Sequence, residues 1–232
     1  MYKGLKIKAP FFEIGPKAYL YGEEMLKLAQ VIDKTAMKYD VDVIVTPQYT
    51  DIKLLADNTE RILVFAQHMD SLPVGRGLGS VLPEAVKAAG AVGVMLNHAE
   101  KPISMEEVEK TIQRADEVGL GTIVCADTVE DVKAIAKMSP NLIVAEPTEL
   151  IGTGQTSDSN YVLDTIKTVN EINPDIMVLQ GAGISNGQDV YNTIKLGAQA
   201  TGSTSGIIKA ADPYAMVEEM LYNLRKAWDE LH

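Results

Sequence analysis

The chain has 232 residues, of which 46% are hydrophobic and 23% charged, proportions that are ordinary for a globular protein. Its formal net charge of −11 disfavours nucleic acid or an anionic membrane as the main partner. No stretch approaches the ~18 apolar residues of a membrane span, and the N-terminus lacks the apolar core of a signal peptide, so we expect a cytoplasmic protein. The single cysteine, Cys125, excludes an internal disulfide, and its apolar flanks predict a buried thiol.

Short apolar segments alternate with longer amphipathic segments along the whole chain. The apolar segments predict eight strands, at residues 10–14, 41–45, 62–66, 91–96, 120–125, 142–145, 176–179 and 198–202. Helices are predicted between them at 22–39, 49–57, near 82, from 104, at 129–138, 160–172 and 187–196, and from 213 onward. The helix from residue 104 opens with a capping-box pattern, Ser104 followed by Glu107.

Continuous apolar strands joined by helices indicate a parallel sheet covered on both faces. Eight such units predict a closed (β/α)8 barrel, and we expect residues 1–232 to form one domain, slightly shorter than the ~250 residues typical of this fold. A doubly wound open sheet is the alternative, but no dinucleotide fingerprint follows the first strand.

Ligands of a parallel barrel bind at the C-terminal ends of its strands, and polar residues collect there in this sequence. Lys17 follows the first strand, where a cation could hold a phosphate or stabilise a developing enolate oxygen. His98 and Glu100 follow the fourth strand, where a histidine could polarise a carbonyl. His68 follows the third strand, so position alone does not choose between the two histidines. A solvated lysine and a capping histidine are the alternatives.

The stretch after the sixth strand combines a carboxylate with a loop that could move. Glu146 comes directly after the strand, where a general base would lie, and Pro147 stiffens the exit. Gly152 and Gly154 allow backbone angles that suit the hinges of a lid. The alternative is an ordinary loop with a solvated glutamate.

Small residues follow the last two strands, where this fold commonly binds phosphate. Backbone N–H groups of such loops can hold a dianion without a formal charge. The candidates are Gly181, Gly183 and Ser185 after the seventh strand, and Thr204 and Ser205 after the eighth. No metal-ligand cluster, Walker loop or Ser-His-Asp pattern with supporting context is present.

Many ordered stretches together resemble one family over essentially the whole chain. They are Pro47-Gln48, Phe65–His68, Val81–Lys87, Gly90–Gly93, Leu96–His98, Ala145–Pro147, Glu149–Gly154, Gly181–Ser185, Ser205-Gly206 and Lys209-Ala210. In these stretches the chain resembles the triosephosphate isomerase family, particularly its compact archaeal form. The resemblance implies a role in glycolysis and gluconeogenesis, a small phosphorylated sugar as substrate, and a homodimer or homotetramer held partly by the loop at 73–80.

The resemblance also implies roles for single residues. Glu146 corresponds to the proton-abstracting base, His98 to the electrophile and Lys17 to the active-site lysine. The implied reaction passes through a cis-enediol and needs no cofactor or metal. Ile151 and Gly152 belong to the lid that touches the phosphate. The remaining substrate-binding positions are Gly15, Gly181, Gly183, Ser185, Thr204 and Ser205.

The chain departs from the family pattern at four positions. Gly15 stands where the family has an asparagine, which removes a substrate contact and predicts extra room. Leu78 replaces a threonine that reaches a neighbouring subunit, Thr148 replaces a proline at the lid hinge, and Ala99 replaces a serine. These departures keep two alternatives open: an isomerase of a larger sugar phosphate, and a non-catalytic paralogue that binds a phosphorylated metabolite.

Overall fold

A computed structural model describes all residues from Met1 to His232, and its eight strands form one closed parallel barrel. Each strand pairs with the next, and the first pairs with the last, which confirms the predicted (β/α)8 barrel. The strands are β1 Phe11–Ile14, β2 Asp42–Val45, β3 Leu63–Ala66, β4 Gly93–Leu96, β5 Gly121–Ala126, β6 Leu142–Ala145, β7 Met177–Gln180 and β8 Ala200–Gly202.

Helices connect the strands and cover the outside of the barrel. They are α1 Gly22–Tyr39, α2 Ile52–Asn58, α3 Pro83–Ala88, α4 Met105–Val118, α5 Val129–Lys137, α6 Ser159–Ile172, α7 Gly187–Lys195, α8 Ser205–Ile208 and α9 Pro213–Asp229, with 3-10 turns at Tyr49–Asp51 and Thr148–Leu150. None of these helices is long and apolar enough to span a membrane.

Most strands begin one or two residues later than the hydrophobic pattern predicts. Val41 and Ala91 precede their strands yet are buried, because the pattern reports burial and not pairing in the ladder. The single-turn helix α8 is not among the predicted helices, since its small residues indicate only a loop.

The barrel has two hydrophobic cores, separated by the strands themselves. Along β1, Phe12 and Ile14 point outward to the helices, while Phe11 lies in the interior core. Because side chains alternate along a strand, Glu13 also points inward. Cys125 is buried in the interior core, as its flanks predict.

The capping box predicted at α4 is only half formed. The Ser104 side chain accepts a hydrogen bond from the Glu107 N–H at 3.2 Å, but the Glu107 carboxylate instead accepts one from the hydroxyl of Ser71 at 2.5 Å. The prediction of a reciprocal box was wrong because a residue distant in sequence competes for the carboxylate. A complete box does form at α5, between Thr128 and Asp131.

Candidate active site

A cavity of about 520 Å³ opens at the C-terminal ends of the strands. All but one of the candidate site residues line it: Gly15, Lys17, His98, Glu146, Ile151, Gly152, Gly181, Gly183, Thr204 and Ser205. The exception is Ser185, whose hydroxyl donates to the carbonyl of Gly183 at 3.0 Å and whose N–H donates to Asp189 at 2.9 Å. Apolar side chains of the interior core, among them Met95 and Leu179, form part of the cavity wall.

Lys17 is held in an uncommon backbone conformation. Its φ of +49° lies in the left-handed region, which costs free energy for a residue with a side chain. Two glutamine side chains stabilise it by donating to its carbonyl oxygen, Gln48 at 2.7 Å and Gln67 at 2.9 Å. The Nζ atom is 2.6 Å from Oε1 of Glu100, and this contact lowers the pKa of the Glu100 carboxyl. The structure thus places the Lys17 ammonium at the cavity, paired with Glu100.

His98 is arranged to stay neutral and to donate a hydrogen bond. The Glu100 N–H donates to its Nδ1 at 3.0 Å, so Nδ1 is an acceptor and the ring proton is assigned to Nε2. Burial, followed by the nearby Lys17 ammonium, lowers the pKa of His98. Asn97 precedes it with a φ of +57° and is anchored by donating to the Cys125 carbonyl at 3.0 Å. A neutral imidazole of this kind can polarise a carbonyl oxygen.

The second histidine of the pattern, His68, has a different environment. It is buried, its Nε2 lies 3.3 Å from Oδ1 of Asp70, and it does not line the cavity. Asp70 also accepts a hydrogen bond from the N–H of Val81 at 2.6 Å, which ties the two ends of the intervening loop together. The tertiary structure therefore separates two histidines that their positions after predicted strands could not.

Glu146 combines burial with a single fixed hydrogen bond. Burial raises the pKa of its carboxyl, and the Ala182 N–H, which donates to Oε1 at 2.9 Å, partly offsets that rise. A Cβ atom at Gly181 would lie 2.9 Å from the Glu146 Cβ, so the strand exit needs glycine there for the carboxylate to fit. A carboxyl with a raised pKa is a stronger base once ionised, which suits proton abstraction from carbon.

The structure adds Glu13, a residue that the sequence analysis did not select. It is 9% exposed and lines the cavity, and its Oε1 accepts a hydrogen bond from the Thr46 hydroxyl at 3.0 Å. Burial raises its pKa to about 7; the Thr46 bond opposes that rise, and the Glu146 charge adds to it. The available signal was a charged residue inside the otherwise apolar strand β1.

Gly15 does not leave the open space that its lack of a side chain predicts. A Cβ atom there would lie 3.0 Å from Oε1 of Glu13, 3.2 Å from the Thr46 hydroxyl and 3.4 Å from the Thr204 hydroxyl. The expectation of extra room is corrected accordingly. Glu13 and Gly15 share the inward face of the chain, so the longer side chain fills the space that the glycine vacates.

Among the backbone N–H groups at the cavity, those of Gly183 and Thr204 donate to no group of the protein. Gly183 has a φ of +70°, and a Cβ atom on it would lie 2.0 Å from the carbonyl oxygen of Gln155. The loop after β7 is thus packed directly against the end of the lid, and its free N–H group suits an anionic ligand.

The lid runs from the end of β6 to α6. Its first part is fixed by a hydrogen bond of 2.7 Å from the Thr148 N–H to Oδ1 of Asp127. Gly152 and Gly154 have φ values of +76° and +74°, in the left-handed region that favours glycine. Ile151 and Gly152 reach the cavity, so this segment can exclude water from it.

A buried carboxyl with a raised pKa shares this cavity with an imidazole whose pKa is lowered and with a lysine ammonium, beside unpaired N–H groups at the C-terminal end of a parallel barrel. That combination defines an acid–base enzyme for an anionic substrate that carries a carbonyl group.

Comparison with known proteins narrows this class to one family. A family model described as triosephosphate isomerase matches residues 14–220. Relatives named triosephosphate isomerase include a protein from Methanobacterium bryantii, which is 40% identical over 89% of this chain and 93% of its own length. Another, from Sulfurisphaera tokodaii, is 38% identical over 96% of this chain and 99% of its own length. The chain belongs to the triosephosphate isomerase family, whose members are aldose–ketose isomerases.

The fold comparison agrees with the assignment of the barrel. A crystal structure of triosephosphate isomerase from Bartonella henselae superposes with a TM-score of 0.75, covering 95% of this chain and 99% of that one. The two sequences are 15% identical, so the likeness concerns the fold alone.

Proposed function

We propose that this chain interconverts glyceraldehyde 3-phosphate and dihydroxyacetone phosphate by a 1,2-proton shift. The observation that carries the proposal is the convergence of Glu146, His98 and Lys17 on one cavity, with a raised pKa at the first and a lowered pKa at the second. The two relatives described above are both named triosephosphate isomerase, which supports the same substrates.

In the proposed mechanism each of these groups has one task. Glu146 removes a proton from the carbon beside the carbonyl and returns it to the neighbouring carbon. His98 donates from Nε2 to the carbonyl oxygen and takes up the proton of the neighbouring hydroxyl, so that this proton passes from one oxygen to the other. Lys17 offsets the negative charge of the enediolate. The neutral state of His98 matches the chemistry established for this family, in which a glutamate base works with an uncharged imidazole under a closing loop.

The phosphate of the substrate is assigned to the N–H groups of Gly183 and Thr204, with Ser205 and Gly181 beside them and Ile151 and Gly152 of the lid above. Lid closure would exclude water and limit loss of phosphate from the intermediate. Ser185 was expected to join this cradle; its hydroxyl and N–H both have partners within the protein, so the proposal does not rest on it.

Gly15 is proposed to mark a local departure from the family pattern and not a change of substrate. Its vacated space is partly filled by Glu13, which gives no support to a larger sugar phosphate. We further propose that residues 1–232 act as one domain and assemble at least into a dimer through the loop at 73–80. A cytoplasmic location stays a prediction.

A coupled assay in both directions tests the proposal. We expect kcat/KM for glyceraldehyde 3-phosphate to approach the diffusional range of ~10⁸ M⁻¹s⁻¹. Purified, folded protein with no turnover of either triose phosphate would overturn it.

A further inference from the structure

Glu13 is the one buried carboxyl of the cavity that the proposed mechanism does not use. It lies on β1, on the same inward face as Gly15, and its backbone pairs with Gly202 of β8 and Ile44 of β2. A glutamate in this place must displace apolar packing inside the barrel, at a cost in free energy that an apolar residue would not have. The cost suggests a use at the cavity.

The two oxygens of Glu13 have different surroundings. Oε1 accepts the hydrogen bond from Thr46 and faces the empty side-chain position of Gly15. Oε2 has no hydrogen-bond partner in the protein, and it is not among the buried polar atoms left without one. Because the side chain keeps a small exposed fraction and lines the cavity, Oε2 is the oxygen that opens onto it.

We propose that Glu13 is a substrate-contacting residue whose protonated carboxyl donates a hydrogen bond from Oε2 to a carbonyl or hydroxyl oxygen of the bound triose phosphate. This inference rests on the proposed function. It assigns to Glu13 the polar contact that Gly15, having no side chain, cannot make.

The charges around Glu13 favour its protonated form when substrate is bound. Its titratable neighbours are Lys17 from the end of β1, Glu146 from the end of β6 and Cys125 from β5. Burial and the Glu146 carboxylate hold the pKa of Glu13 at about 7, while Lys17 acts in the opposite direction. A bound phosphate dianion adds negative charge to the same cavity and so raises the pKa further.

Two substitutions test the role, because one removes the donor and the other makes it permanent. Glu13→Ala should raise KM for glyceraldehyde 3-phosphate by about tenfold, the effect of losing one hydrogen bond. Inhibition by inorganic phosphate, which lacks a carbon skeleton, should stay unchanged. Glu13→Gln donates at every pH, so it should keep a KM near that of the wild type at about pH 6.

The pH profile separates this role from a structural one. In the wild type, KM should rise between about pH 6 and about pH 8.5 as Glu13 ionises, and in Glu13→Gln that rise should be reduced. Titration of the substrate phosphate is common to both proteins and cancels in the comparison.

The inference would be overturned if the wild type is active but Glu13→Ala has an unchanged KM, or if Glu13→Gln keeps the full rise of KM with pH. Either result would leave the proposed function standing. Should Glu13→Ala fail to fold, the pH profile of Glu13→Gln still decides. A wild type inactive on both triose phosphates would instead remove the proposed function itself.

Discussion

At the scale of single residues, the position of the Glu146 carboxylate should matter more than its charge. Glu146→Asp keeps the charge but withdraws the carboxylate by one methylene, and a misplacement of about 1 Å can cost on the order of 10²-fold in rate. We therefore expect kcat to fall by roughly that factor while inhibition by inorganic phosphate is unchanged.

Steady-state kinetics of the purified variant measure this effect. The matched control is Glu149→Asp, three residues along the same lid and outside the cavity lining, which should retain wild-type kinetics. Full activity in Glu146→Asp would show that Glu146 is not the base.

Glu13 should also make the stability of the fold depend on pH. The pKa of Glu13 is about 7 in the folded chain, against an ordinary value of 4.5. Between these two pH values the unfolded chain has lost a proton that the folded chain still holds. The contribution of Glu13 to the free energy of unfolding is therefore greatest below pH 4.5. It falls as the pH rises to about 7 and stays low above that pH. Glu13→Gln removes this loss. Relative to the wild type, the free energy of unfolding of the variant should therefore increase on the order of 3 kcal/mol between about pH 4 and about pH 8.

Urea unfolding of wild type and variant at the two pH values measures the gain. Glu109→Gln removes a carboxylate from an exposed position of α4, and its effect should be nearly the same at both pH values. A pH-independent difference for Glu13→Gln would contradict the assignment of a raised pKa.

At the scale of elements, the loop after β7 and the lid act as one unit because their backbones touch. Gly183→Ala would place a Cβ atom within 2.0 Å of the Gln155 carbonyl oxygen, and it would also strain a residue whose φ is +70°. The lid must move to relieve this contact, so we expect kcat/KM to fall on the order of 10²-fold.

Gly197→Ala is the matched control for backbone strain. Gly197 has a φ of +98°, and a Cβ atom there would meet nothing within 4 Å. It should cost ~1–2 kcal/mol of stability from strain alone and leave kcat/KM unchanged, as thermal unfolding and kinetics can establish. Equal kinetic effects of the two variants would refute a coupling between loop and lid.

At the scale of the whole molecule, the loop at 73–80 exposes apolar side chains. Leu78 is fully exposed, and Val74 is 70% exposed. Exposed apolar side chains of this kind mark interaction sites, in agreement with the proposed assembly. We expect sedimentation velocity to show at least a dimer for the wild type and a smaller species for Leu78→Glu, since burying a charge there opposes association.

Leu231→Glu, at an exposed position after α9, should leave the assembly unchanged. A wild type that sediments as a fully active monomer would rule out this role for the loop.

The sequence by itself determined the barrel and the position of the chemistry along the chain. Eight apolar segments separated by amphipathic ones can bury their residues on both faces only as parallel strands under helices. A residue directly after such a strand lies at the ligand-binding end of the barrel, which is why the order of residues alone places Lys17, Glu146 and both histidines there.

Only the tertiary structure decided which neighbouring residues meet. It turned His98 into the cavity and His68 away from it, gave both polar groups of Ser185 partners in the protein, and gave the Glu107 carboxylate to Ser71. It also brought Glu13 beside Thr46 and into the space at Gly15. The reason is physical: these outcomes depend on distances of a few ångströms between groups far apart in the sequence, which exist only once the barrel has closed.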